Sequence, residues 1–237
     1  MEKSKLNLCG LIAEFFGTML LVVFGAGIAS KADTLWAASI AFGLVLMALI
    51  VTLGPVSGGH FNPAVSIGLL ISKKIDLKNF LLYVVVQFLG AIAGGALLLL
   101  FFKDGNAIGA NGLNAFLQAS TNHSDTGFML IALLVELIAT FMFVLTIIMT
   151  VNSEKNSSKA FIIIPLALTL ALMLAGPFTG GSANPARSFG TMIFADSFKH
   201  VWIVIVGPVL GAVLAGFTSL ILLKHNKKNE QAQSEAH

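Results

Sequence analysis

The segment GSANPARSFG (181–190) holds Arg187, the one arginine of the chain; the other thirteen basic residues are all lysine. It sits between two long apolar runs. A segment of the same build, GPVSGGHFNPAVSIG (54–68), stands 122 residues earlier and matches GPFTGGSANPARSFG (176–190) at nine of fifteen positions without a gap. These residue types offer hydrogen bonding and fixed positive potential rather than bond making. Asn62 and Asn184 carry amide donors, Arg187 carries a fork of charged donors, and the glycine-rich runs ahead of each Asn-Pro present backbone carbonyls. The same offset pairs Glu14 in AEFFGT with Glu136 in VELIAT. Carboxylates in apolar runs either satisfy polar groups nearby or relay protons. The sequence contains no nucleophile elbow, metal-ligand spacing or phosphate loop. No catalytic residue, metal or cofactor is therefore expected, and the chain does not read as an enzyme.

The elements that position these residues follow from composition. Of 237 residues, 57% are hydrophobic and only 11% charged, where a soluble domain carries about 25% charge. A helical span needs roughly 20 residues, and six runs qualify: 8–30, 36–53, 80–102, 128–151, 160–176 and 201–223. The first run has no small-residue cleavage site and reads as a retained span. Two shorter apolar segments, 62–72 and 184–195, reach only about 15 Å as helices, half the hydrocarbon thickness. Asparagine is a preferred N-cap and proline suits the first helical turn, so each Asn-Pro opens a half-helix. Each half, about 8–102 and 128–223, then has three spans, and an odd number turns the second upside down relative to the first. The expected fold is an all-α membrane protein: one transmembrane domain over 1–237, with six spans and two re-entrant half-helices in inverted repeats. Residues 224–237, KHNKKNEQAQSEAH, read as a solvated cytoplasmic tail rather than a lipid-binding switch, which usually needs a denser basic cluster.

Lysine placement sets the orientation. Lys3, Lys5, Lys73, Lys74, Lys78, Lys155, Lys159, Lys224, Lys227 and Lys228 fall on one side, against Lys31, Lys103 and Lys199 on the other. The positive-inside bias places both termini in the cytoplasm. Nothing resembles a nucleic-acid patch. Inverted symmetry brings the amino-terminal ends of the half-helices together near the bilayer centre, where broken helices of this kind place a functional path. Irregular backbone is tolerated there only when it is buried in protein or lines a water-filled cavity. Gly58, Gly59, His60 and Phe61, with Gly180, Gly181, Ser182 and Ala183, would supply a ladder of carbonyl acceptors. The boxes Asn62-Pro63-Ala64 and Asn184-Pro185-Ala186 would set the centre, with two positive helix ends facing it. Cations and protons are repelled at such a point, while neutral molecules exchange hydrogen bonds.

The paired NPA boxes, the SGGHFNPAV and NPARS contexts and the glutamate in the first span of each half resemble the aquaporin and glycerol-facilitator family over essentially the whole chain. The resemblance implies a channel in the cell membrane, usually homotetrameric, in which pore width and half-helix dipoles exclude ions and protons. It also implies a constriction at Phe42 in IAFGL, Leu172 in LALML, Gly181 and Arg187, with Glu14 and Glu136 bracing the loops. Water-selective members usually have histidine where Leu172 stands. Glycerol-conducting members usually have tryptophan for Phe42, aspartate for Ser188 and glycine in the fifth span. This chain matches neither pattern: Ser188 and His60 are water-type, while Leu172 and Gly181 leave a wider, more apolar opening. Val204 and Ile205 stand where water channels usually have aromatics. A bacterial-type member with an intermediate filter follows, passing water and small uncharged solutes: glycerol first, then hydrogen peroxide, ammonia or neutral lactic acid.

Three other readings stand beside this one. They are a strictly water-selective channel, a proton-coupled transporter using Glu14 and Glu136, and a structural or adhesive membrane protein, which would not need two polar loops inside the bilayer. Arg187 either guards the pore mouth or is a structural charge tied to loop carbonyls. Gln87, the GAIAGG that follows and GPVLGAVLAG in the last span read as packing and loop support, and His60 as loop support. His123, His200 and His225 read as loop or tail residues. Cys9, the only thiol, lies at the cytoplasmic start of the first span. Mercurials should therefore leave water flux through reconstituted protein nearly unchanged; thiol-reversible inhibition that disappears in Cys9→Ser would show Cys9 to lie beside the conducting path.

Overall fold

A computed structural model of the chain describes residues 7–105, 108–113 and 125–235; Lys3, Lys5 and His123 lie outside them. The described residues contain helices and turns and no strand. Eight helices matter for the site: α1 (Leu8–Ala29), α2 (Leu35–Thr52), α3 (Pro63–Ile71), α4 (Leu77–Phe102), α5 (Asp125–Val151), α6 (Ala160–Thr179), α7 (Pro185–Met192) and α8 (Val201–Glu235). Six of them, all but α3 and α7, are long and apolar enough to cross a membrane. The expected spans are all present; the ends of the first five are displaced by at most three residues, whereas the last helix continues to Glu235, twelve residues past its expected end and through most of the polar tail. A π-helical turn over Leu21–Ala26 interrupts α1, a type of bulge frequent at functional sites.

Within each half, the first and third spans lie together, α1 on α4 and α5 on α8, while α2 pairs with α6 across the halves. The half-helices cross over. The chief neighbour of α3 is α8, and that of α7 is α4, so each is held by the last span of the opposite half. Small residues allow this closeness, as they do between helices in lipid, where burial against tails adds no driving force. A Cβ on Gly95 would collide with the carbonyl oxygen of Gly190, and one on Gly90 with that of Phe15. The glycines of GAIAGG and GPVLGAVLAG thus sit at helix contacts, the latter with Gly207 and Gly211 against the carbonyls of Leu133 and Leu137.

Both half-helices begin on a capping asparagine. The Asn62 side-chain oxygen accepts from the Ala64 N–H at 2.8 Å, and that of Asn184 from the Arg187 N–H at 3.2 Å. The loops ahead of them share one backbone pattern, with φ of 93°, 68° and 48° at Gly58, Gly59 and Phe61 and of 80°, 71° and 50° at Gly180, Gly181 and Ala183. Phe61 and Ala183 are not glycines, and a left-handed conformation at such residues costs about 1–3 kcal/mol each. Two buried carboxylates hold the conformation. Glu14 accepts from the Ser57 hydroxyl (2.7 Å), the backbone N–H groups of His60 (2.9 Å) and Phe61 (2.6 Å) and the Gln87 amide (2.7 Å). Glu136 accepts from the Thr179 hydroxyl and from the N–H groups of Ser182 (2.8 Å) and Ala183 (3.1 Å). One hydroxyl and two backbone N–H partners correspond pairwise under the 122-residue offset. Each glutamate is fully buried, and charge-assisted bonds of this sort are what make a buried anion tolerable.

A buried donor left without an acceptor costs about 1–3 kcal/mol. Glu136→Ala strands the N–H groups of Ser182 and Ala183, while the Thr179 hydroxyl keeps the Ala175 carbonyl, and should destabilise the protein by several kcal/mol, seen as a large loss of monodisperse protein on heating in detergent. Glu136→Gln keeps one acceptor oxygen and should lose markedly less; equal loss in both variants would mean that the carboxylate's second oxygen is what holds the loop.

Candidate functional site

The loops are tied to each other as well as to the glutamates. The Asn62 amide donates to the Ala183 carbonyl at 2.7 Å, and the Asn184 amide donates to the Phe61 carbonyl at 2.9 Å. This reciprocal pair fixes where the half-helices meet. A side-chain amide has two N–H groups and a carbonyl two lone pairs, so each partner keeps one position for a further hydrogen bond. The innermost rungs of the expected carbonyl ladder, Phe61 and Ala183, are therefore half-engaged. Pro63, Ala64, Pro185 and Ala186 are buried in the first turns of the half-helices. Further out, the Gly59 and Gly181 N–H groups donate to the Ser57 and Thr179 hydroxyls at 3.0 and 3.1 Å.

Asn62 and Asn184 line a narrow cavity of about 20 Å³, room for little more than one water molecule. Leu21, Leu46, Phe143 and Leu168 form its apolar wall, His60 and Ser182 line it beside the asparagines, and Phe42, Leu172 and Arg187 complete it. The structure thus brings together three of the four expected constriction residues with both asparagines. Gly181 is absent from this lining. It packs against Leu172, and a Cβ there would stand 3.1 Å from Leu172 Cδ2, so any larger residue would press Leu172 from behind. Glu14 and Glu136 are absent from the lining too. Their contacts are with the loops, which is the bracing geometry.

Arg187 is 3% exposed. Its Nη1 donates to the Asn111 side-chain oxygen, and its guanidinium carbon stands 4.7 Å from the Phe42 ring centroid, within cation–π range. Nε forms no hydrogen bond among the described residues. Asn111 also accepts from the Ser188 hydroxyl at 2.7 Å and donates to the Thr179 carbonyl at 3.1 Å. One residue of the long connector therefore links the arginine, the second half-helix and the second loop. Sequence reasoning missed Asn111, and no spacing marks it among the other polar residues of that connector. The apolar wall carried a readable signal: Leu21 and Phe143 are 122 residues apart, and so are Leu46 and Leu168. Arg187 has no twin, since Val65 occupies its place in the first half.

The supports behind the loops differ as well. Gln87 donates to Glu14 and, at 3.0 Å, to Ser66, whose hydroxyl lies 3.0 Å from His60 Nδ1. In the second half Val209 stands at the Gln87 position. There Ser182 bonds directly to the Ser188 hydroxyl (2.6 Å) and the Val204 carbonyl (3.2 Å).

Comparison with known proteins follows from this geometry. The family described as Major intrinsic protein matches residues 1–219. The chain is 40% identical over 220 residues to Aquaporin-5 of Mus musculus, covering 90% of this chain and 80% of that protein. It is 37% identical over 216 residues to Glycerol uptake facilitator protein-like 6 of Lactiplantibacillus plantarum, covering 89% and 96%. With Aquaporin Z of Brucella melitensis the identity is 37% over 215 residues, covering 86% and 93%. The X-ray structure of the aquaglyceroporin from Plasmodium falciparum superposes with a TM-score of 0.74 at 26% identity, over 89% of this chain and 94% of that one. Six membrane-length helices, two half-membrane loops joined through their asparagines and matches over most of the chain lead to one assignment: the chain belongs to the major intrinsic protein family, the aquaporin and glycerol-facilitator channels.

Proposed function

We propose that the chain is a passive channel for water and small uncharged solutes, glycerol first among them, that excludes ions and protons. The observation that carries this reading is the narrow cavity where both capping asparagines, an apolar wall and a single buried arginine meet. Each asparagine has one N–H to offer a passing oxygen, and both positive helix ends point at it. A neutral molecule can exchange hydrogen bonds along one side while the apolar wall offers none, so binding stays weak enough for release. Phe42, Leu172 and Arg187 form the constriction, with Gly181 packed against Leu172 and the Arg187 guanidinium beside the Phe42 ring. Leu172 in place of histidine makes that constriction more apolar than a strict water filter. Matches to relatives named aquaporin and glycerol uptake facilitator at 40% and 37% identity support a filter between the two kinds. Hydrogen peroxide, ammonia and neutral lactic acid fit the same width and polarity. The single domain forms a homotetramer in the cell membrane with both termini cytoplasmic.

Because both membrane carboxylates are spent on the loops, flux should follow only the solute gradient. Proteoliposomes in a stopped-flow panel of water, glycerol, urea and neutral lactic acid test this. Accumulation of glycerol driven by an imposed proton gradient would overturn the channel reading in favour of coupling through Glu14 and Glu136.

The constriction residues make a second prediction. Arg187→Val removes a donor fork and a positive field. About 1.4 kcal/mol changes passage tenfold, so uptake of larger neutral solutes should rise roughly tenfold with a modest cation or proton leak, and water flux should stay within about twofold. Leu172→His should lower glycerol flux relative to water. Asn111→Ala frees the guanidinium without removing it and should shift selectivity in the direction of Arg187→Val by a smaller factor. All three are compared at matched membrane abundance. Unchanged selectivity ratios in folded Arg187→Val would reduce the arginine to a structural brace.

A further inference from the structure

The bundle carries two grooves that the internal repeat relates to each other. One runs between α1 and α4 and is lined by Val23, Phe24, Ile28, Leu98 and Phe101. The other runs between α5 and α8 and is lined by the residues 122 positions later: Leu145, Thr146, Thr150, Leu220 and Leu223. The backbone makes the same gap twice, at opposite ends of the bundle, and the side chains give the two gaps different chemistry. The first has a volume of about 540 Å³ and is apolar up to a rim that holds Lys31 and Asp33, opposite charges. Lys31 Nζ there lies 4.4 Å from the centroid of the Phe102 ring.

The second groove is larger, about 1240 Å³. Threonines replace Phe24 and Ile28, Lys155 replaces Asp33, and Lys224 replaces Phe102, while Glu154 is the one acid at the rim. The rim therefore changes from balanced charge to a net positive one. Thr150 is 5% exposed as a residue and lines this groove, which puts a hydroxyl donor between the apolar floor and the basic rim. The floor of Leu145, Met149, Leu220 and Leu223 lies within the spans Thr126–Val151 and Phe198–His225. At 1.5 Å per residue, Leu145 sits about 9 Å inside the end of its helix.

We propose that the α5–α8 groove binds one anionic phospholipid of the surrounding bilayer. An acyl chain lies on the leucine and methionine floor, the phosphate sits between Lys155 and Lys224, and Thr150 donates to a headgroup or ester oxygen. The occupant must be amphiphilic, because the floor is apolar at membrane depth and the rim is basic. Basic pockets between helices at a membrane face recognise anionic headgroups on this principle. A soluble anion leaves the floor bare, and a second copy packing through its apolar spans leaves the lysines and Thr150 without partners. The site depends on the fold alone and is independent of which solute the channel carries.

The test is native mass spectrometry of the full chain released from micelles doped with dioleoylphosphatidylglycerol or dioleoylphosphatidylcholine. One phosphatidylglycerol should be retained per chain, about tenfold more strongly than phosphatidylcholine. The pair Lys155→Ala and Lys224→Ala should remove that preference, whereas Lys73→Ala with Lys74→Ala, an equal charge change on the same face but outside the groove, should keep it. Met149→Trp fills the floor and should lower retention of both lipids. Thr150→Val should weaken phosphatidylglycerol retention by a few fold. Three results would overturn the proposal: equal retention of both lipids, equal loss in the two lysine pairs, or displacement of the bound lipid by inorganic phosphate alone. A protein–protein dimer that depends on Lys155 and Lys224 and excludes the lipid would assign the groove to a second copy instead.

Discussion

Irregular backbone in the middle of a bilayer must find every hydrogen bond inside the protein, since unsatisfied peptide groups in hydrocarbon cost several kcal/mol each. The two loops before the half-helices concentrate that constraint. Their N–H groups go to Glu14 and Glu136, two of their carbonyls go to the partner loop's asparagine, and the asparagine oxygens cap the helices they begin. The left-handed backbone at Phe61 and Ala183 aims each N–H at a carboxylate and each carbonyl at the opposite amide. Removing one glutamate therefore disturbs the meeting point as well as one loop.

On this nearly symmetric frame the differences between the halves are informative. Arg187 stands where the first half has Val65, and Gln87 where the second has Val209. The arginine is held from the side by Asn111 and covered by Phe42, so a charge that would be costly alone in the membrane has a polar partner and an aromatic face. Placing it at one end only makes the path electrically polar along its length: the central positive potential comes from both helix ends, and a second positive point sits off-centre.

Much of this was legible in the sequence. Span length, the two Asn-Pro starts and the fixed offset of 122 predicted six spans, two half-helices and a matched pair of glutamates, because each depends on local rules or on the repeat; that the glutamates stand beside the loops was implied by the family resemblance. The wall residues Leu21, Leu46, Phe143 and Leu168 were also encoded by the offset, but apolar residues in an apolar span carry no individual mark. Asn111 was not legible at all. It acts through a tertiary contact with a residue 76 positions away, in a connector whose composition would read the same with the asparagine elsewhere. Gly181 shows a subtler limit: its motif position pointed to the constriction, whereas its contribution is the room it leaves for Leu172.

The crossover of the half-helices also dictates an order of assembly. The half-helix α3 is complete by Ile71, yet its chief neighbour, α8, begins only at Val201. During synthesis the first loop is made long before the wall that seals it exists. Glu14, Gln87 and α4 are already present and can satisfy part of it, but its carbonyl bond to Asn184 and its packing on α8 come last. The chain therefore remains open on one side, with polar backbone in a half-built bundle, until the sixth span has entered.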